Sequence, residues 1–307
     1  LQLLDSVEIA TSIDNLMDTA TIKLPQCVFN NNIEELTTIK KGQKVAISLG
    51  YDDELTDEFT GYVRELSTDG EAVVYCSNEV YLFNATMLPN KVFQNPNVKD
   101  LLEYVVKNSA PQLGVNCQFD FAYDKFTIDT ATGLDVLKLI QDECHCMIFI
   151  KDGNLNATSP YIQTGDYQTV KYNLGINVMK DGYSLKYKDK SDRKLKVIAK
   201  GKGADGKQIE ETGGEGGGDT ITIDYKGLAT SDLLKKQIAA VLEQKSYSGY
   251  DGDFQGWYLP IVRKGDAVDL SDPTDSSRNG KYFVNGVLTT CNSGGITRKV
   301  SLGKILS

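Results

Sequence analysis

The chain has 307 residues, of which 40% are hydrophobic and 24% charged, and its formal net charge is −9. That length holds about two ordinary domains with a sizeable core, and the composition is that of an average globular protein. The acidic balance opposes any broad attraction to nucleic acid or anionic lipid.

No run approaches the ~18 apolar residues that a membrane-spanning helix needs. The opening "LQLLDSVEIATS" has no basic region and no long apolar stretch, so no secretory signal is expected. It begins with Leu1 rather than Met, which fits a trimmed N-terminus. Six cysteines stand at 27, 76, 117, 144, 146 and 291. Their spacing suggests no disulfide framework, and reduced core or strand residues are expected.

The first 88 residues read as β. "DTATIKLP" alternates Ala20, Ile22 and Leu24 until Pro25 ends the strand. "KVAISLGY" alternates Val45, Ile47 and Leu49. "EFTGYVRELSTDGEAVVYCSN" predicts two strands around an Asp69-Gly70 turn. Gly61, inside its strand, marks a bulge or a barrel corner.

The pattern then changes. "NVKDLLEYVVKNSA" places Val98, Leu101, Leu102, Val105 and Val106 at helical spacing behind an Asn97 cap. "TGLDVLKLIQDE" predicts a second helix with Leu134, Leu137 and Ile140 on one face. "VNCQFDF" lies between them as a strand, and "CMIFIKDGNLNA" follows as a hairpin. From Val170, "VKYNLGINVMKDGYSLKYKDKSDRKLKVIAK" reads as a meander. The tract Gly201–Asp219, "GKGADGKQIEETGGEGGGD", reads as an exposed, mobile loop, because glycine-rich polar tracts have few side chains to pack. A third helix, "SDLLKKQIAAVLEQKS", is predicted behind a Ser231 cap, with Asp232 and Lys245 matching the helix dipole. Its apolar face is Leu234, Ile238, Val241 and Leu242. β character resumes at Trp257 and closes on "NGVLTTCNSGGITRKVSLGKI".

Reactive constellations are sparse. The Gly201–Gly206 run matches G-x-G-x-x-G formally, but no helix can open behind it to receive a pyrophosphate. "CHC" (Cys144–Cys146) offers three metal-ligand types. A shared strand face for the two cysteines would turn His145 away, and zinc wants four ligands. His145 is the only histidine; a packed position between an apolar helix and an apolar strand is expected for it. A catalytic triad would have to use it. The acidic runs "YDDELTDE" (Tyr51–Glu58) and "YDGDF" (Tyr250–Phe254) could supply paired carboxylates for glycoside cleavage, but they read as solvated loops between strands. "KYKDKSDRKLK" (Lys186–Lys196) could form a basic patch, yet its interleaved acids favour a solvated edge strand and turn. No catalytic, cofactor-binding or metal residue is therefore assigned.

One pattern occurs twice. "KKGQKVAISLGYDDELTDEFTGYVRELSTDG" begins at Lys40, and "RKGDAVDLSDPTDSSRNGKYFVNGVLTTCNSGG" begins at Arg263. Lys41, Gly42, Val45, Ile47 and Ser48 align with Lys264, Gly265, Val268, Leu270 and Ser271. After an indel, Gly61-Tyr62-Val63 faces Gly280-Lys281-Tyr282-Phe283-Val284, and Asp69-Gly70 faces Gly294-Gly295. The shared order of turn, strand, polar loop, Gly-aromatic strand and turn predicts that Gly42 and Gly265 occupy equivalent turns, and Val45 and Val268 equivalent strands.

The chain resembles the baseplate hub family of contractile phage tails, which includes the phage Mu tail protein, the late control D proteins and the N-terminal part of type VI secretion spike proteins. The resemblance lies in "SVEIATSIDNLMDTATIKLP", "KKGQKVAISLGYDDELTDEFTGYVREL", "NPNVKDLLEYVVK" and "TGLDVLKLIQDECHCMIFIKDGNL". It ends with "RKGDAVDLSDP" through "GKYFVNGVLTTCNSGGITRKVSLGKIL". It implies an α+β, mainly β fold with two related β-barrels flanking an α+β domain. The expected division is 1–88 for the first barrel, 89–165 for the α+β domain and 166–307 for the second barrel. About 201–256 would form a glycine-rich loop plus helix insertion. The resemblance further implies a non-enzymatic homotrimer that joins a sixfold tail tube to a threefold central spike. Its partners would be the spike, the tube or other baseplate proteins, with no nucleic-acid recognition and no membrane insertion. It would be assembled in the bacterial cytoplasm and reside in the virion baseplate. With no spike domain after Ser307, the spike is expected to be a separate chain. A carboxylate-dependent tail enzyme and an extracellular β-rich binding module remain the alternatives.

Overall fold

The computed structural model describes residues 4–25, 27–28, 31–32, 38–68, 71–118, 121–158, 167–192 and 194–306. The chain forms two compact units. The first comprises residues 1–81, 168–185 and 252–303, and the second 82–167, 186–251 and 304–307. The proposed Asp69-Gly70 turn and the Cys27 side chain lie outside the described residues.

The first unit opens with β1 (Ser6–Ser12), β2 (Thr19–Leu24), β3 (Cys27–Val28), β4 (Asn31–Asn32), β5 (Lys44–Tyr51), β6 (Glu54–Ser67) and β7 (Ala72–Ser77). A short helix that the sequence pattern did not reveal, α1 (Val80–Ala85), follows. The second unit continues with β8 (Lys91–Gln94), α2 (Val98–Ser109), β9 (Gly114–Cys117) and β10 (Lys125–Ile128). Then come α3 (Gly133–Cys144), β11 (Met147–Lys151) and β12 (Asn154–Thr158). The chain returns to the first unit for β13 (Thr169–Asn173) and β14 (Val178–Tyr183). A second excursion adds β15 (Lys186–Lys188), β16 (Leu195–Lys202), β17 (Gln208–Gly214), β18 (Asp219–Leu228), α4 (Ser231–Lys245) and β19 (Gly249–Asp251). The series closes with β20 (Asp253–Trp257), β21 (Ala267–Ser271), β22 (Gly280–Asn292) and β23 (Gly295–Ile305).

One eleven-stranded sheet organises the first unit. Its main path runs β14-β20-β23-β22-β1-β2-β7-β6-β5, with β21 pairing both β22 and β13. Alternation explains its inner face. Val7 and Ile9 of β1, Ala20, Ile22 and Leu24 of β2, and Ile47 and Leu49 of β5 enter one apolar cluster. Phe59, Val63, Val74, Tyr258 and Ile296 join it. Burying each large aliphatic or Phe side chain contributes about 1.5–3 kcal/mol. Both repeat copies belong to this sheet, because β1 pairs antiparallel with β22 from Val7↔Cys291 to Ser12↔Gly286.

The expected meander after Val170 does not form. β13 pairs with β21 and β16 with β18 in parallel, whereas β14 pairs with β20, β15 with β19 and β16 with β17 antiparallel. Each strand therefore finds a partner distant in sequence or downstream, a choice that local alternation does not encode.

The second unit holds the helices. Asn97 and Asp100 form a reciprocal capping box on α2, and Thr132 and Asp135 do the same on α3. Each box satisfies two backbone groups that helix geometry leaves open. The hydroxyl and backbone N–H of Thr132 hold the Asp135 carboxyl below its ordinary range. Helix α4 is capped by Thr230 rather than Ser231, since the Thr230 hydroxyl accepts the Leu233 N–H at 3.2 Å. The inward face of α4 includes Leu234, Ile238 and Val241.

The glycine-rich tract is not a loop. β16 pairs antiparallel with β17 and parallel with β18, forming a three-stranded sheet. Its glycines permit close packing: a Cβ on Gly213 would stand 2.6 Å from Ile238 Cγ2 of α4. Gly214 has φ +88°, and a Cβ there would meet the Leu195 carbonyl. Gly213→Val is expected to lower stability by about 1–3 kcal/mol through overpacking. Urea unfolding reads the loss, and faster amide exchange in α4 would locate it.

Candidate functional site

The residues with chemical potential are dispersed and already engaged. His145 is exposed rather than buried, with its ring edge-on to Tyr225. It ends α3 in the left-handed region at φ 48°, and its Nε2 lies 3.0 Å from the Asp224 carbonyl. Cys144 and Cys146 are buried. Burial pushes the Cys144 thiol up to about 12 despite the Tyr123 hydroxyl 3.0 Å away, and raises Cys146 as well. Neutral thiols of this kind are poor metal ligands and poor nucleophiles. Among the described residues, no group of three or more His, Cys, Asp or Glu side chains is placed to hold a metal ion.

The acidic runs also resolve into structure. Asp52 and Asp53, with φ 52° and 66°, form the two-residue turn between β5 and β6. Positive φ at both positions is the geometry that matches strand twist in a tight hairpin. Asp251 pairs with Lys188 at 3.1 Å, and Asp253 with Lys299 at 3.0 Å. The Lys186–Lys196 stretch is split among β15, a short 3₁₀ turn and β16.

Glu58, at the end of the first acidic run, has a different fate. A register shift between Ile47↔Phe59 and Ser48↔Asp57 makes it the extra residue of a β-bulge. A bulge re-aims a side chain, and Glu58 meets Arg298 Nη2 at 2.6 Å with both side chains almost wholly buried. Arg298 Nε donates to the Tyr258 carbonyl at 3.0 Å. Nη1 donates to the Val262 carbonyl and to Thr289 Oγ1. The Tyr258 ring lies under the guanidinium at 4.6 Å, and its hydroxyl reaches Leu49 O at 2.8 Å and Glu58 Oε1 at 2.9 Å. The bulge hid this pair from strand alternation.

The turns of the two repeat copies carry matching hydrogen bonds. In the first, Gly42 (φ +86°) donates to Val63 O at 2.8 Å, and Val63 donates to Gln43 O at 2.8 Å. In the second, Gly265 (φ +78°) donates to Val284 O at 2.8 Å, and Val284 donates to Asp266 O at 2.9 Å. Even the side-chain brace repeats: Lys40 N–H donates to Gln43 Oε1, and Arg263 N–H to Asp266 Oδ2. Val45 faces Gly61 and Val268 faces Tyr282, each two residues from the valine of its turn. The chain carries one module twice.

The copies differ in what covers them. Lys264 is buried and bonds Asp18 Oδ2 at 2.5 Å, with Asn78 Nδ2 also donating to that carboxylate. Burial raises the Asp18 carboxyl above its ordinary range, against the pull of Lys264. Lys41, the counterpart of Lys264, is exposed, and no partner for it stands among the described residues.

The fold has solved counterparts. A 43 kDa tail protein of prophage MuSo2 from Shewanella oneidensis matches with TM-score 0.65 at 16% identity, over 97% of this chain and 94% of that one. A tail protein from Neisseria meningitidis MC58 matches with TM-score 0.63 at 12% identity, over 98% and 92%. An Escherichia coli type VI secretion component, described as similar to the phage T4 tail proteins gp27 and gp5, matches with TM-score 0.60 at 12% identity, over 100% and 75%. This chain has the fold of phage tail proteins. No protein-family model matches the sequence, and no curated protein matches it. At such low identity the likeness is carried by the order of strands, turns and helices.

Glu58→Gln is expected to cost about 3–5 kcal/mol, because it leaves the Arg298 charge buried without its counterion. The double variant Glu58→Gln/Arg298→Met should regain most of that loss in urea unfolding. Gly42→Ala and Gly265→Ala, each forcing a side chain into the left-handed region, should each cost about 1–2 kcal/mol. An effect at only one glycine would contradict their equivalence.

Proposed function

We propose that this protein is a structural baseplate hub of a phage tail or tail-like injection system. In this reading it is a homotrimeric adaptor between the sixfold tail tube and the threefold central spike. The observation that carries it is the duplicated module inside a fold matching tail proteins over nearly their whole length. Three chains with two similar modules each present six quasi-equivalent modules in a ring. One face can then meet sixfold neighbours while the assembly stays a closed threefold oligomer.

Each repeat copy corresponds to one of the two barrels in this reading. The helical segments between them form the α+β domain and its insertion. The partners are other copies of the chain, the spike protein, and tube or baseplate proteins. The site of action is the virion tail baseplate, after synthesis in the bacterial cytoplasm.

No catalytic role is proposed. The carboxylates best placed in sequence for an enzyme, Asp251 and Asp253, each sit in an ion pair with a lysine.

Light scattering of the full chain should give about three copies per particle, with the proportion rising with concentration. A particle that stays monomeric at every concentration would contradict the hub reading. Cell-wall or polysaccharide hydrolysis abolished by Asp251→Ala or Asp253→Ala would replace it with the enzymatic alternative.

A further inference from the structure

The repeat makes one strand edge informative. β22 has β23 along one edge. Its other edge carries β21 at Gly280–Phe283 and then β1 at Gly286–Cys291. β6 is built the same way. β7 pairs with one edge, and β5 pairs with the other from Glu54 to Tyr62. Beyond Tyr62 that second edge has no partner strand among the described residues. Among the described residues, the place that β1 fills beside β22 is therefore open beside β6.

The register of the slot follows from the matched turns. Val63 corresponds to Val284, an offset of 284 − 63 = 221, so Leu66 corresponds to Val287. Val287 is the residue opposite Thr11 of β1. Asn285, the counterpart of Arg64, accepts the Ile13 N–H at 2.9 Å. Arg64 and Leu66 thus present the backbone groups that correspond to a filled hydrogen-bond ladder in the second copy.

A separate observation marks the same place. The segment joining β1 to β2 brings Asp18 onto Lys264. The equivalent Lys41, beside the open slot, is exposed and has no carboxylate among the described residues. Among the described residues, strand and counterion are absent together, as they would be if both came on one element.

The occupant is readable from the same symmetry. β1 pairs with β2, which pairs with β7; β14 pairs with β20, which pairs with β23. β14 is thus the second copy's β1, and its outer edge has no partner among the described residues. Within one chain β14 ends the sheet at one side while the β6 slot lies near the other. Two unpaired edges of complementary origin favour a contact between chains.

We propose that the edge of β6 at Arg64–Leu66, with the Lys41 ammonium beside it, is the docking site for β14 of a second copy of this chain. The incoming strand runs antiparallel to β6, and a carboxylate of that copy sits on Lys41. This rests on the self-assembly proposed above and names the surface that performs it.

The test compares the full-length wild type with Lys41→Glu, Leu66→Pro and Leu66→Ala by light scattering across concentration, with circular dichroism as the check on folding. Lys41→Glu changes an exposed side chain and should raise the concentration for assembly at least about tenfold. Leu66→Pro removes the outward N–H and should leave monomers, whereas Leu66→Ala, which keeps that N–H, should assemble as wild type does. Carbodiimide cross-linking of mixed light and heavy-isotope chains should join the β6 region to the β14 region between chains. Assembly of Lys41→Glu and folded Leu66→Pro at wild-type concentrations would overturn the docking site while leaving the trimer reading intact. If Leu66→Pro does not fold, Lys41→Glu and the cross-links decide. A wild type that never assembles would overturn both.

Discussion

A guanidinium placed inside an apolar core must have its donors met, because an unpaired buried charge is far costlier than any contact it displaces. Arg298 meets that demand with acceptors from Glu58, Tyr258, Val262 and Thr289. These come from β6, the segment after β20, the approach to β21, and β22. Slippage of any one would strand a donor. The core around them is non-directional, since apolar contacts tolerate sliding. The ion pair therefore supplies the register that hydrophobic burial alone would leave loose. It also ties the first repeat copy to the strand that follows the second, because Glu58 lies in β6 and Arg298 in β23.

The bulge at Glu58 is what permits this. In an unbroken strand, Glu58 and Phe59 would point to opposite faces. The extra residue turns both toward the interior, so Phe59 enters the apolar cluster while Glu58 reaches Arg298. A strand read by alternation alone assigns Glu58 to solvent. For that reason the acidic run Tyr51–Glu58 looked uniformly exposed in sequence, although its last member anchors the core.

Other features were legible because they depend on local chemistry. Asn97 and Thr132 cap helices through their own side chains. Gly42 and Gly265 are required by positive φ, and their neighbours repeat in order. What sequence could not carry was non-local. The pairing of β13 with β21, and of β1 with β22, is decided across the whole chain. The tract at Gly201–Asp219 misled for a different reason. Glycine signals flexibility and close packing with the same letter, and only the presence of α4 over Gly213 distinguishes them. His145 misled similarly, since its apolar neighbours are buried while it alone turns outward to end a helix.

Duplication of a module within one chain also explains why the two copies are not identical. A head-to-tail contact between chains closes into a ring only where the rotation between neighbours returns to its start, and otherwise gives an open filament. Here one edge is closed internally by β1 and by the Asp18–Lys264 pair. That ion pair gains little in net stability once desolvation is counted. Its value lies in selectivity: a buried lysine accepts only a neighbour that brings a carboxylate to the right depth. The copy with a buried lysine is committed to its own chain, whereas the copy with exposed Lys41 has no partner for that lysine or for the matching edge among the described residues. A single duplication followed by covering of one copy thus leaves one side closed within the chain, and in the proposed docking the other side is the receptive one.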